Sequence, residues 1–67
     1  DNQPLEMIAP VLSRNFGVPI AVDKEVRNRR FYLIFNKKTT NIEQILQTMT
    51  QTGHVKCRWA DGRYRLY

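Results

Sequence analysis

Twice along this 67-residue chain an apolar stripe at helical spacing runs into a glycine and re-emerges as an alternating, strand-like pattern. Leu5, Ile8, Leu12 and Phe16 precede Gly17 and then Val18, Ile20 and Val22; Ile42, Ile45, Leu46 and Met49 precede Gly53 and then Val55, Cys57 and Trp59. The apolar period drops from about 3.6 to 2 at each glycine, as side-chain direction requires where a helix gives way to a strand. Glycine takes the left-handed conformation that ends many helices at no steric cost. The pattern predicts an α+β fold: two helices on one face of a small, mostly antiparallel sheet, in the order α-β-β-α-β-β, with helix–Gly–strand as a pseudo-repeat.

A chain of this size buries only about 60% of the surface its unfolded form exposes, which suits one thin core and not a deep catalytic cavity. Residues 1–67 read as a single domain that begins abruptly at Asp1 and ends on a strand residue, Tyr67, and so as a domain excised from a longer protein. The single cysteine, Cys57, has no internal disulfide partner, so cysteine usage says nothing about redox compartment. With no long apolar run, no signal-type leader and no lipidation motif, the segment is expected to be soluble.

The first helix is predicted over about residues 4–16, with Pro4 in its first turn and Asn2 or Gln3 as cap. Pro10 removes a backbone donor inside that span, so a kink or a late start is expected. Thr40 and Glu43 form a T-x-x-E capping box for the second helix, whose polar face carries Gln44, Gln47, Thr48 and Gln51. Strands are predicted over about 18–23, 30–36, 54–60 and 63–67. Asp61-Gly62 reads as a two-residue type I′ hairpin loop. It sets Ala60 opposite Arg63, Trp59 opposite Tyr64, Arg58 opposite Arg65 and Cys57 opposite Leu66. Phe31, Leu33 and Phe35 join the inner side, and Trp59 is expected to be the core's largest anchor.

Eleven Lys and Arg face six Asp and Glu, a formal net charge of +5, and the basic residues sit mainly on strands and the loops around them. The outward sheet face should carry Ala21, Tyr32, Ile34, Lys56, Arg58, Arg63, Arg65 and Tyr67. Arg58 directly opposite Arg65 is mildly destabilising unless an anion, an acidic surface or splaying of the side chains relieves it. A mixed aromatic and basic face makes Tyr32, Ile34, Lys56, Arg58, Arg63, Arg65 and Tyr67 the candidate protein-binding residues. The same mixture is a base-stacking platform in some nucleic-acid binders, although no RNP-like aromatic run is present.

Residues for catalysis are scarce. The acids lie scattered in caps, loops and turns, and His54 and Cys57, three apart on one strand, point to opposite faces. Cys57 reads as a small core residue, His54 as a partner of the helix C-terminus, and Met7 and Met49 as core or rim filler. One Cys and one His do not make a metal site, and no glycine-rich loop cradles a phosphate. No enzyme activity, cofactor or metal is expected.

The runs Pro4-Leu5-Glu6-Met7-Ile8, Leu12-Ser13-Arg14-Asn15-Phe16-Gly17-Val18, Arg30-Phe31 with Phe35, Ile42-Glu43-Gln44-Ile45-Leu46 and Asp61-Gly62-Arg63-Tyr64 together resemble the C-terminal domain of FecR-type anti-sigma factors. The resemblance spans the whole chain. A related layout occurs in the short N-terminal domain of secretins and TonB-dependent transporters, so the resemblance leaves the N-terminal signalling domain of a transporter or secretin as the alternative function. The resemblance implies a non-catalytic domain in cell-surface signalling of Bacteroidetes-like Gram-negative bacteria. This domain would be the periplasmic end of a regulator with one membrane helix and a cytoplasmic segment that holds a sigma factor. Its implied partner is the signalling domain of an outer-membrane transporter; nucleic acid is not an expected partner. Two departures stand out: Pro10 in the first helix, and a missing or truncated strand before it, which would leave a sheet edge open to strand addition.

Overall fold

In a computed structural model that describes residues 2–67, the chain runs β1 (Asn2–Pro4), α1 (Leu5–Phe16), β2 (Ile20–Val22), β3 (Arg30–Tyr32), α2 (Ile42–Thr52), β4 (Cys57–Ala60) and β5 (Arg63–Leu66). The fold is α+β, with a strand ahead of the first helix that the hydrophobic pattern does not reveal. The strands form two sheets instead of one: β1 pairs antiparallel with β3, and β2-β5-β4 make a second sheet in which β2 runs parallel to β5. The expected element order and single sheet are corrected accordingly, while two of the three strand pairings are antiparallel as expected. Three residues with little apolar alternation carry no periodic signal, and β1 exists because Asn2, Gln3 and Pro4 face Tyr32, Phe31 and Arg30.

The start of α1 is held by tertiary structure. Pro4 is its N-cap residue and offers no side-chain cap, while Asn2 and Gln3, expected as caps, belong to β1. The orphan N–H groups of Leu5 and Glu6 donate instead to the carbonyls of Arg29 (2.8 Å) and Arg27 (3.0 Å). The loop between β2 and β3 therefore caps the helix, and Val26 within it is buried in the core. The helix starts without delay and runs through Pro10, which lies at an exposed position where solvent can take up the freed carbonyl.

The cap of α2 sits one residue later than the capping box predicts. The Asn41 side-chain oxygen accepts from the Gln44 N–H at 2.9 Å, and the Thr40 hydroxyl reaches the Gln44 side chain at 2.9 Å. Ile42, Ile45, Leu46 and Met49 are buried, as their spacing demands. The two glycines end their helices differently. Gly17 is left-handed (φ 65°), and its N–H returns to the Ser13 carbonyl, whereas Gly53 has φ −108° and the left-handed residue is His54 (φ 55°), exposed and one step on. Gly53 answers a packing demand: a Cβ there would fall 1.6 Å from Cε2 of Phe31.

The core joins both helices, Val26, Phe31, Val55 and Leu66, with Phe16, Val18, Ile20, Val22, Leu33, Phe35, Cys57 and Tyr64 packed partly against it. Leu5, Leu12 and Leu66 are wholly enclosed. Met49 belongs to this core, but Met7 is 58% exposed. Trp59, expected as the largest anchor, is 56% exposed. Its parity is as predicted, and it lies beside the hairpin tip.

Candidate functional site

The hairpin register is the one the Asp61-Gly62 turn dictates: Cys57, Arg58, Trp59 and Ala60 face Leu66, Arg65, Tyr64 and Arg63, with Asp61 and Gly62 both at positive φ. Parity then places Lys56, Arg58, Arg63, Arg65 and Tyr67 on one face of the β2-β5-β4 sheet, with Ala21 of β2 opposite Arg65. Tyr32 and Ile34 do not extend that face. Tyr32 lies on β3, in the other sheet, and Ile34 in the irregular segment after it, 72% and 80% exposed. The seven candidate residues thus fall on two separate surfaces.

On the basic face the Arg58–Arg65 opposition is relieved within the chain. Arg65 forms an ion pair with Asp23 (Nη2 to Oδ1, 2.6 Å), which the parallel β2–β5 pairing brings alongside. The guanidinium of Arg58 lies 5.3 Å over the ring of Tyr67, its diagonal neighbour. A half-exposed pair of this kind is worth no more than about 1 kcal/mol, so its main effect is to fix where the arginines point. Asp23 is invisible to sequence reasoning as the counter-charge because forty-two residues separate it from Arg65.

On the opposite side of the same strands, Trp59 and Tyr64 stack edge to face with centroids 4.8 Å apart, as a closely approaching cross-strand pair should. The Tyr64 hydroxyl donates to Oε2 of Glu43 at 2.7 Å. That hydrogen bond, with burial and the nearby carboxylate charge, raises the phenol's pKa. Glu43 is therefore engaged in tying α2 to β5. A shallow groove of about 300 Å³ runs beneath, between Glu43, Leu46, Gln47, Thr50, Cys57 and Tyr64. Cys57 is half-buried, and desolvation raises its thiol pKa, which opposes formation of a nucleophilic thiolate. Among the described residues no cluster of three or more His, Cys, Asp or Glu could hold a metal ion, and no helix is long and apolar enough to cross a membrane.

Comparison with known proteins assigns the chain. No curated protein and no solved structure matches it. The family model described as FecR, C-terminal, matches residues 1–66, from the first strand through the closing hairpin. With essentially its whole length covered by that model, the chain belongs to the FecR C-terminal domain family.

Proposed function

We propose that this chain is a non-catalytic protein-interaction domain of a FecR-type transmembrane anti-sigma regulator. In this reading it stands in the periplasm and receives the signal of a TonB-dependent outer-membrane transporter. The observation that carries the reading is the end-to-end family match. The basic face built on β4 and β5 supports it, since a rigid sheet bearing Lys56, Arg58, Arg63 and Tyr67 suits recognition of an acidic protein surface. The mechanism is a population shift: transporter loading changes the contacts made at this domain, and the differential affinity of two regulator states is passed to the sigma factor through the membrane helix.

The test is a calorimetric titration of the chain with the purified N-terminal signalling domain of a transporter from the same organism. Saturable binding that weakens at least tenfold in the Lys56→Glu, Arg58→Glu, Arg63→Glu variant is expected. Absence of saturable binding to any such domain refutes the receiving role; undiminished binding by the triple variant removes the basic face from it.

A further inference from the structure

Among the described residues β4 has one neighbouring strand, β5, and its other edge is open. The hydrogen-bond parity of the hairpin shows what that edge offers. Lys56 and Tyr67 exchange both backbone bonds, N–H to O at 2.8 and 2.9 Å. In an antiparallel pair such positions alternate with positions whose backbone groups turn away from the partner. Arg58 and Ala60 are therefore bonded to β5, while Cys57 and Trp59 aim their N–H and C=O groups outward. The opposite strand obeys the same alternation: the Leu66 carbonyl accepts from Asp23 at 2.9 Å and the Tyr64 N–H donates to Pro19 at 3.0 Å, both toward β2.

Three observations mark this edge as a recognition element. Its backbone donors and acceptors at Cys57 and Trp59 lack a strand partner. Trp59 stands 56% exposed on it, already fixed by Tyr64 at little entropic cost to a further contact. The side chains facing outward along it, Lys56 and Arg58, are both cationic, and the Asp23 carboxylate is committed to Arg65. A strand added to β4 would place its side chains alternately beside Lys56 and Arg58 and beside Cys57 and Trp59.

We infer that the open edge of β4 takes up, by strand addition, an extended segment of a partner protein in which acidic residues alternate with apolar ones. A second copy of this chain is the wrong occupant, because antiparallel β4–β4 pairing would bring Lys56 and Arg58 of one molecule against the same cations of the other. The charges guard the edge against self-association while admitting an acidic strand. The inference rests on the interaction reading above and specifies how the partner engages.

The experiment measures amide hydrogen exchange by NMR on the isotope-labelled chain with three synthetic octapeptides. One alternates Glu and Val, one alternates Lys and Val, and the third is the Glu-Val peptide N-methylated at its valines, whose N–H groups are the ones that face Cys57 and Trp59 when the glutamates lie beside Lys56 and Arg58. At saturation the Glu-Val peptide is expected to slow exchange at Cys57 and Trp59 at least tenfold, with the other two inactive and with Lys56→Glu, Arg58→Glu weakening binding tenfold or more. Equal binding of the Lys-Val or N-methylated peptide, or protection appearing at β2 or the helices instead, overturns the proposal. The same measurement with the transporter signalling domain separates the two ideas. Binding without protection of Cys57 and Trp59 sinks the edge and leaves the receiving role. Protection by the peptide with no binding of the transporter domain does the reverse.

Discussion

Replacing Gly53 by alanine isolates a purely steric demand. At φ −108° and ψ 7° the backbone there suits any residue, so the conformational cost of a side chain at a left-handed glycine does not arise. The added methyl would instead fall 1.6, 2.5 and 2.7 Å from Cε2, Cζ and Cδ2 of Phe31, a ring only 7% exposed and enclosed by the core. The contact is with the ring itself, so the ring or the end of α2 must move. Overpacking of this kind costs about 1–3 kcal/mol, offset by roughly 0.4–1 kcal/mol because alanine stiffens the unfolded chain. A net loss of about 1–2 kcal/mol is expected, against a total stability on the order of 3–10 kcal/mol for a domain of this length. Urea denaturation followed by far-UV circular dichroism reads the loss directly, and a melting temperature lower by about 4–8 °C per kcal/mol should accompany it. The double variant Gly53→Ala, Phe31→Leu removes the clashing ring, so the two changes should couple favourably by at least about 0.5 kcal/mol in a double-mutant cycle. A Gly53→Ala protein as stable as the parent, or an absence of coupling, would refute the claim that close approach of Phe31 selects this glycine.

Leu66→Ala should cost about 2–5 kcal/mol by chemical denaturation because Leu66 is wholly enclosed, whereas Trp59→Ala should lose only about 0.5–1.5 kcal/mol from the aromatic pair. A larger loss at Trp59 than at Leu66 would contradict the core described above. Asn41→Ala should destabilise by about 1 kcal/mol and Thr40→Ala by clearly less, since Asn41 is the residue that caps α2; equal losses would return the cap to Thr40. The Tyr64–Glu43 bond needs a protonated phenol, so its stabilisation is complete below the unfolded-state pKa near 10 and disappears as pH rises through the higher folded-state value. Ultraviolet titration should show Tyr64 ionising above the ordinary tyrosine range and returning toward it in Glu43→Gln; an unchanged titration in that variant counts against the hydrogen bond.

Local chemistry made part of this fold legible from residues alone. The hairpin register follows from Asp61-Gly62, a dipeptide that tolerates two positive φ angles, and the α2 stripe from its 3.6 spacing. Gly17 likewise ends α1 as its position suggests. What escaped is what distant residues decide. β1 is a strand only because β3 accepts it, the loop carbonyls of Arg27 and Arg29 replace a side-chain cap, and Gly53 is chosen by a ring 22 positions earlier. The candidate surface divides for the same reason. Alternation assigns a residue to a face of its own strand but cannot say whether two strands share a sheet, so Tyr32 and Ile34 were grouped with residues from which the topology separates them. Trp59 shows the converse limit: alternation gives its side of the strand but does not say whether another element covers it there.

The central position of β5 gives the last few residues disproportionate authority. Both Ile20–Val22 and Cys57–Ala60 depend on that single ribbon for every ladder bond they make, and they have no bond to each other. During synthesis neither can complete its ladder until β5 emerges, although β1 and α1 can already engage β3 and the loop before it. A cut within β5 at Tyr64 would release two strands at once and open the core at Leu66. Such a cut would act as an off-switch for the whole unit while leaving both helices intact.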